Sequence, residues 1–381
     1  MKTEFTGLRK QGELLRTGVL ERFDAVLQHG KFIMGPEVGE LEGRLSEFCG
    51  ARHVISVANG TDALLIALMC AGVGPGDHVL VPSFTYTATA EVILLLGAYP
   101  VFAEVDAETF NLDCADLEAR INSHDASKGA LKAIIGVDLF GKPADWPRLN
   151  DIAQQHGLFL IADAAQSFGA KTAPGAVGTL APVTTASFFP AKPLGCYGDG
   201  GAIFTDDDEL AHKIRSIRVH GQGAQKYETV QVGMNSRLDT MQAAVLLAKL
   251  DLFENELAQR NALAEAYNRE LAQLVATPRI DAGERSSWAQ YTIKVDNRDE
   301  FNRALNDQGV PTAIYYPLPM HLQPAYQAFG SGPGSLPVSE QLCERVISLP
   351  MNQYWTDADL TTVCTAVKQA VQSASDLKMA S

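Results

Sequence analysis

The chain has 381 residues, and 31 Lys and Arg against 45 Asp and Glu give it a formal net charge of −14. Its apolar fraction of 46% and charged fraction of 20% are globular values, which exclude a largely disordered chain. The acidic balance argues against nucleic acids and anionic membrane surfaces as partners, because both would be repelled. The length predicts two or three folding units.

The sequence gives no sign of export or of metal binding. The first seven residues lack an apolar signal core, and no apolar, uncharged run is long enough to span a bilayer. The six cysteines are scattered without a C-x-x-C pair, and the eight histidines lack the spacing of metal ligands. We therefore expect a cytoplasmic protein with reduced thiols and no metal site.

The first two thirds of the chain alternate short apolar runs with helical patterns. The predicted elements are strands at 77–82, 99–105, 131–137, 158–162, 184–188 and 201–205, with helices at 87–96 and 144–156. Continuous apolar strands separated by helices indicate a mainly parallel sheet that is covered on both faces. In such sheets ligands bind at the carboxyl ends of the strands.

The pattern changes in the last third. The predicted elements there are a long helix over 238–274, strands at 289–295 and 310–316, and helices at 300–308 and 356–373. We predict a large α/β domain over residues 1–250 and a smaller α+β domain over residues 251–381.

Two of the strand ends carry groups that suit a planar, phosphorylated ligand. Gly60 and Thr61 follow one strand and open an apolar helix, whose free amides and hydroxyl can bind an anion. An ordinary helix N-cap is the alternative. Tyr86 follows the strand that ends at Pro82, where its ring could stack on a ligand or pack in the core.

Two further strand ends carry charged residues in apolar surroundings. Asp163 ends a buried strand, where a carboxylate needs a cation or strong donors unless it caps a helix. Lys192 lies among Phe, Pro and small residues, and a desolvated lysine can act as an amine nucleophile. A solvated surface lysine is the alternative. Together, the four features are what pyridoxal phosphate requires: a phosphate site, a stacking ring, a partner for the pyridine nitrogen and a lysine.

Several motifs, spread over nearly the whole chain, together resemble the pattern of a known family. They are Gly35-Pro-Glu-Val38, Ala58-Asn-Gly-Thr-Asp62, Asp163-Ala-Ala-Gln166-Ser167-Phe-Gly169, Ser187-Phe-Phe-Pro-Ala-Lys192-Pro-Leu-Gly195, Gly198-Asp-Gly-Gly201, His220-Gly-Gln222, Asn235-Ser-Arg237-Leu-Asp-Thr240 and Pro317-Leu-Pro319. This pattern closely resembles the DegT/DnrJ nucleotide-sugar aminotransferases. The resemblance implies the aspartate aminotransferase-like fold, known as fold type I, with its seven-stranded sheet.

The resemblance also implies a role for each matching residue. Lys192 would hold pyridoxal phosphate covalently and move protons. Asp163 would pair with the pyridine nitrogen, and Gln166 would bind near the ring hydroxyl. The residues implied to hold the phosphate or to stack on the ring are Gly60, Thr61, Ser187 and Tyr86.

Two more matching residues imply a second subunit. Asn235 would reach the phosphate from the neighbouring chain, which implies a homodimer with shared active sites. Arg237 is a candidate contact for an anionic group of the substrate. The implied reaction moves the amino group of L-glutamate, which leaves as 2-oxoglutarate, onto a UDP- or dTDP-linked keto sugar.

The details of the sequence look most like those enzymes of the family that aminate C3 of UDP-2-acetamido-2-deoxy-3-oxo-glucuronate for surface polysaccharides. That group tends to show His-Tyr-Pro where this chain has Tyr315-Tyr316-Pro317. If that histidine helps to bind the uronate carboxylate, the phenol of Tyr315 weakens the case for a uronate, so UDP-3-keto-N-acetylglucosamine and dTDP-linked 3-keto or 4-keto sugars stay open. The alternative is that Tyr315 only packs beside Tyr316. His321 could line the nucleotide site or lie in a surface loop.

Two other classes of function are compatible with the fold. One is a dehydratase or lyase that uses pyridoxal phosphate, although dehydratase relatives have histidine where this chain has Lys192. The other is a non-catalytic regulator, for which we find no basic helix-turn-helix.

Overall fold

The computed structural model describes residues 4–225 and 227–380, with the side chains of 373–380 excepted. The strands are β1 (His53–Val57), β2 (His78–Pro82), β3 (Tyr99–Ala103), β4 (Leu131–Val137), β5 (Phe159–Asp163), β6 (Val183–Ser187), β7 (Gly201–Thr205), β8 (Tyr291–Lys294) and β9 (Val346–Leu349). The helices are α1 (Leu8–His29), α2 (Pro36–Cys49), α3 (Gly60–Cys70), α4 (Ala88–Leu95), α5 (Cys114–Ser123), α6 (Trp146–His156), α7 (Asp208–Ile217), α8 (Thr240–Leu271), α9 (Arg298–Asp307), α10 (Pro337–Arg345) and α11 (Asp357–Ala380).

Strands β1 to β7 form one sheet in the order β1-β7-β6-β5-β4-β2-β3. Strand β7 runs antiparallel to both of its neighbours, β1 and β6, while the other pairs in the sheet are parallel. The prediction of a mainly parallel sheet between helices is therefore confirmed. The carboxyl ends of β2, β4, β5 and β6 meet at one edge, where the predicted site residues follow the strands.

Both faces of the sheet are covered, which explains why its strands read as continuous apolar runs. In β5, for example, Ile161 packs on one face in a cluster with α3, α4 and α7. Leu160 and Ala162 point to the opposite face, where they pack with residues of α6. Alternate side chains of the strand thus enter two different cores.

A third apolar cluster lies in the C-terminal part of the chain and joins the end of α8 to β8, α9, β9 and α11. Helix α8 connects the large sheet to this cluster, since Leu246 and Phe253 pack with the large sheet while Leu263 and Tyr267 pack with β8 and β9. The predicted division at residue 250 falls inside this helix and stays a prediction.

The strand predicted over 310–316 is wrong. Strand β9 pairs antiparallel with β8, and the predicted segment contributes only an isolated bridge between Ala313 and Ser348. Pro311 and Pro317 lie on either side of this bridge and lack the N–H groups that a longer ladder needs. Elsewhere, within the described part of the chain, no helix is both long and apolar enough to cross a membrane.

Candidate active site

A cavity of about 650 Å³ opens at the carboxyl edge of the sheet. Eight of the eleven residues predicted for the site line it, although they come from segments far apart in the chain. They are Gly60, Thr61, Tyr86, Asp163, Gln166, Ser187, Lys192 and Tyr315. The fold therefore brings most of the predicted groups to one place.

Asp163 is the last residue of β5, and both of its carboxylate oxygens accept hydrogen bonds. The hydroxyl of Thr89 donates to Oδ2 at 3.0 Å, and the backbone N–H of Ala165 donates to Oδ1 at 3.2 Å. Burial raises the pKa of Asp163, while these hydrogen bonds and the charge of Lys192 act in the opposite direction. A carboxylate in this setting is stabilised by a cationic partner.

Lys192 lies in the tight loop between β6 and β7. Its backbone N–H donates to the carbonyl of Phe189 at 2.8 Å. The loop needs glycine at Gly195, where a Cβ atom would come within 2.5 Å of the Pro190 carbonyl oxygen. Burial lowers the pKa of the Lys192 amine, with Asp163 acting against this shift. The lowered pKa increases the neutral fraction of the amine, which is the form that acts as nucleophile and base.

The start of α3 and the end of β6 form a second corner of the cavity. The side chain of Asn59 caps α3 by accepting the N–H of Asp62 at 2.7 Å. A Cβ atom on Gly60 would lie 2.7 Å from the Cβ of Ser187, so only glycine allows this approach. The first amides of the helix and the hydroxyls of Thr61 and Ser187 then share one corner, which suits an anion.

The remaining wall of the cavity is aromatic and neutral. The ring of Tyr86 is 55% exposed, and its centroid lies 6.2 Å from that of Tyr316. Gln166 accepts the N–H of Phe140 at 2.7 Å and donates to the Tyr316 hydroxyl at 3.3 Å. Burial raises the pKa values of both Tyr315 and Tyr316, which keeps these phenols uncharged at neutral pH.

Three predicted residues do not line the cavity of this single chain. Asn235 is exposed beside the partly buried Arg237, whose Nε has no hydrogen-bond partner among the described residues. His321 is fully buried, with 0% exposure, and contacts Ser83 and Glu340. Direct contacts of these three residues with a ligand stay predictions.

Several residues of the site were not predicted from the sequence. Thr89 is bonded to Asp163 from 74 positions away, and Tyr316 and Gln290 line the cavity from the C-terminal part of the chain. Tyr316 stands in the Tyr315-Tyr316-Pro317 motif, so its position in the site could have been predicted from the sequence. Nothing in the local pattern of α4 indicated that the hydroxyl of Thr89 would face a carboxylate.

Comparisons with known proteins show the family to which the chain belongs. The model of the DegT/DnrJ/EryC1/StrS aminotransferase family matches residues 15–368. The chain is 48% identical over 365 residues to the UDP-2-acetamido-2-deoxy-3-oxo-D-glucuronate aminotransferase of Pseudomonas aeruginosa, covering 96% of this chain and 99% of that protein. It is 39% identical to a UDP-N-acetyl-3-dehydro-α-D-glucosamine 3-aminotransferase of Acidithiobacillus ferrooxidans, covering 96% of each protein.

Solved structures show the same fold. An aminotransferase of this family from Brucella abortus superposes with a TM-score of 0.93 at 47% identity, covering 96% of this chain and 98% of the other. DesV of S. venezuelae, solved with a ketimine intermediate, gives 0.92 at 36% identity, covering 97% and 98%. The NtdA protein of Bacillus subtilis, solved with its bound cofactor PMP, gives 0.87 at 30% identity, covering 94% and 82%. The chain has the fold type I architecture and belongs to the DegT/DnrJ/EryC1/StrS aminotransferase family.

Proposed function

We propose that this enzyme transfers the amino group of L-glutamate to C3 of UDP-2-acetamido-2-deoxy-3-oxo-glucuronate, in the synthesis of a surface polysaccharide. The observation that carries the proposal is the meeting of Asp163 and Lys192 in one cavity, with the pKa of the amine lowered. The relative of 48% identity supports the choice of sugar because it matches along nearly its entire length.

The cofactor of the enzyme is pyridoxal phosphate, and the residues of the cavity fit it. The close approach of Gly60 to Ser187 leaves a corner of amides and hydroxyls for the phosphate. The buried carboxylate of Asp163 calls for a cation, which a protonated pyridine nitrogen supplies. When bound, the cofactor provides an electron-accepting ring that stabilises negative charge on the neighbouring carbon.

Asp163, Lys192 and Gln166 have separate roles around the cofactor. Asp163 is held by Thr89 and Ala165, so its carboxylate keeps one orientation while it favours the protonated ring. Burial lowers the pKa of the Lys192 amine, which makes it easier for the amine to give up a proton and so to act as both acid and base. Gln166 is fixed by the N–H of Phe140 and presents a polar group at the ring.

The proposed working unit is a homodimer with shared active sites. The residues that line the cavity include three carboxylates and a single lysine, whereas the phosphate and glutamate are anionic. Additional positive charge is needed, and Arg237 lies outside the cavity of its own chain with an unpaired Nε. A partner's Arg237 reaching the cavity would supply it to the sugar nucleotide, and a partner's Asn235 would add a hydrogen-bond donor for the phosphate.

A second candidate substrate is UDP-3-keto-N-acetylglucosamine, which has a hydroxyl instead of a carboxylate at C6. Tyr315 lines the cavity as a neutral phenol and fits a hydroxyl as well as a carboxylate. dTDP-linked 3-keto and 4-keto sugars are further alternatives. Incubation with glutamate and each of these sugars, scored by product mass, tests the proposal; amination of only the C6-hydroxyl sugar would reject the uronate.

The role of Asp163 has its own test. Asp163→Asn is expected to retain cofactor but to lower kcat by about 10²-fold or more, because the amide no longer favours the protonated ring. Asp151→Asn, at an exposed position of α6, is the matched control. Near-normal turnover of Asp163→Asn would show that this carboxylate is not the partner of the pyridine nitrogen.

A further inference from the structure

Ser83 and His321, which are buried, and Glu340, which is partly exposed, form a chain of hydrogen bonds outside the lining of the cavity, called the His321 clamp below. Ser83 Oγ lies 2.6 Å from His321 Nδ1, and His321 Nε2 lies 3.2 Å from Glu340 Oε1. Glu340 is itself anchored, since its carboxylate accepts the N–H of Gly334 at 2.8 Å. The imidazole therefore links two segments that are far apart in the sequence.

The side-chain polar atoms of Ser83 and His321 all have hydrogen-bond partners in this arrangement. The Ser83 hydroxyl donates to Nδ1 and accepts the backbone N–H of His321 at 3.2 Å, while Nε2–H donates to Glu340. The carbonyl of Ser83 also accepts the N–H of Met320 at 2.8 Å. Buried side chains whose hydrogen bonds are satisfied in this way are held in one geometry.

The two segments that the clamp joins are two walls of the cavity. Ser83 stands three positions before Tyr86, and His321 stands five positions after Tyr316. The rings of these two tyrosines lie 6.2 Å apart and 40° from parallel. The clamp thus lies where it can set the separation of the two aromatic rings.

We propose that His321 is a positioning residue, which acts through Ser83 to hold Tyr86 in the orientation that stacks on the cofactor ring. The inference rests on the proposed function, because it takes Tyr86 to be the stacking residue. It replaces the predicted contact of His321 with the nucleotide by an indirect role. His321 touches neither substrate nor cofactor in this proposal.

Ser83→Ala is the first test because it removes one hydroxyl and leaves the backbone intact. The matched control is Ser348→Ala, which removes a hydroxyl of equal burial that pairs with Thr292 at 2.8 Å in the small sheet. Ser83→Ala breaks two buried hydrogen bonds and Ser348→Ala breaks one, so both are expected to lower thermal stability, with the larger loss in Ser83→Ala. Only the clamp variant is expected to alter the cavity wall.

The first measurement uses the cofactor-free protein, so that it does not depend on the proposed function. Backbone hydrogen exchange in residues 83–89 and 315–322 is expected to be about fivefold to tenfold faster in Ser83→Ala and unchanged in Ser348→Ala, as the loss of both hydrogen bonds of the Ser83 hydroxyl allows. Unchanged exchange in Ser83→Ala would overturn the clamp, whether or not pyridoxal phosphate binds.

The second measurement asks whether the clamp acts through Tyr86. Ser83→Ala is expected to release pyridoxal phosphate about fivefold to tenfold faster than the wild type and to weaken the visible circular dichroism of the bound cofactor. In a Tyr86→Ala background the same change should have no further effect. Additive effects in the double variant would overturn the assignment of Tyr86 as the group that is held.

Two substitutions of the histidine separate its two hydrogen bonds. His321→Asn places an oxygen near the position of Nδ1 and can keep the bond to Ser83, whereas His321→Gln reaches toward Glu340 instead. We expect His321→Asn to retain the cofactor better than His321→Gln. The reverse order would refute a role that acts through Ser83.

Discussion

Asp138 provides a quantitative test of the buried electrostatics beside the active site. It follows β4 and accepts three hydrogen bonds, from the Ser167 hydroxyl at 2.7 Å, the Ala144 N–H at 2.7 Å and the Trp146 indole at 2.9 Å. Burial nevertheless raises the pKa of Asp138 to about 7, with a further contribution from the charge of Asp163. The folded protein therefore holds a proton that the unfolded chain releases near pH 4.

The sign of the effect follows from proton linkage. Between pH 4 and pH 7 the folded state binds more protons than the unfolded state, so stability falls as the pH rises and then stays level. Raising the pKa of Asp138 from 3.8 to about 7 lowers the free energy of unfolding by about 4 kcal/mol once the pH is above 7. Asp138→Asn removes this penalty and can keep the contacts, because the hydroxyl of Ser167 can turn to accept from the new amide.

The assay is urea unfolding of the wild type and Asp138→Asn at pH 5 and pH 8. From pH 5 to pH 8 the free energy of unfolding of the variant should rise by about 2 to 3 kcal/mol relative to the wild type. The reason is that ionisation of the buried Asp138 destabilises the wild type mostly within this pH range. Asp151→Asn, which is exposed on α6, should show no such change. Parallel pH profiles for wild type and Asp138→Asn would refute the reasoning.

Three further predictions concern the cofactor and the sugar. Lys192→Ala should abolish covalent, borohydride-reducible attachment of pyridoxal phosphate, and persistent attachment would assign it to another lysine. Gly60→Ala should cost about 1 to 3 kcal/mol of stability and weaken cofactor binding, because its Cβ would meet that of Ser187 at 2.7 Å. Gly43→Ala in α2, where nothing lies within 4 Å, should do neither. Arg237→Ala should raise the KM for the sugar more than that for glutamate, and equal effects would reject a sugar-specific role.

The sequence predicted those site residues that stand at the end of a strand or in the loop that follows it. Asp163, Lys192 and Gly60 each stand at a strand end or in the loop after it, and parallel strands carry such positions to a common edge. An apolar strand that ends in a carboxylate is visible in a short window of sequence. The position of the cavity could therefore be predicted from a few short stretches of sequence at strand ends.

The parts that the sequence did not predict depend on contacts between distant segments. The bond of Thr89 to Asp163 requires the relative position of α4 and β5, which no local pattern contains. The same holds for His321, whose surroundings are set by Ser83, 238 positions earlier. The strand predicted over 310–316 failed because β-forming residues do not pair where prolines limit the ladder.

The net charge of −14 bears on how the enzyme binds its anionic ligands. An acidic surface repels phosphate and carboxylate at long range, and Asp62, Asp163 and Asp199 line the cavity itself. Attraction must come from short-range donors, such as the amides at the start of α3, and, in the proposed dimer, from cations of the second chain. If a partner's Asn235 binds the cofactor phosphate, as proposed, cofactor retention depends on the dimer. Dilution below the dimer dissociation constant should then release pyridoxal phosphate together with the partner chain.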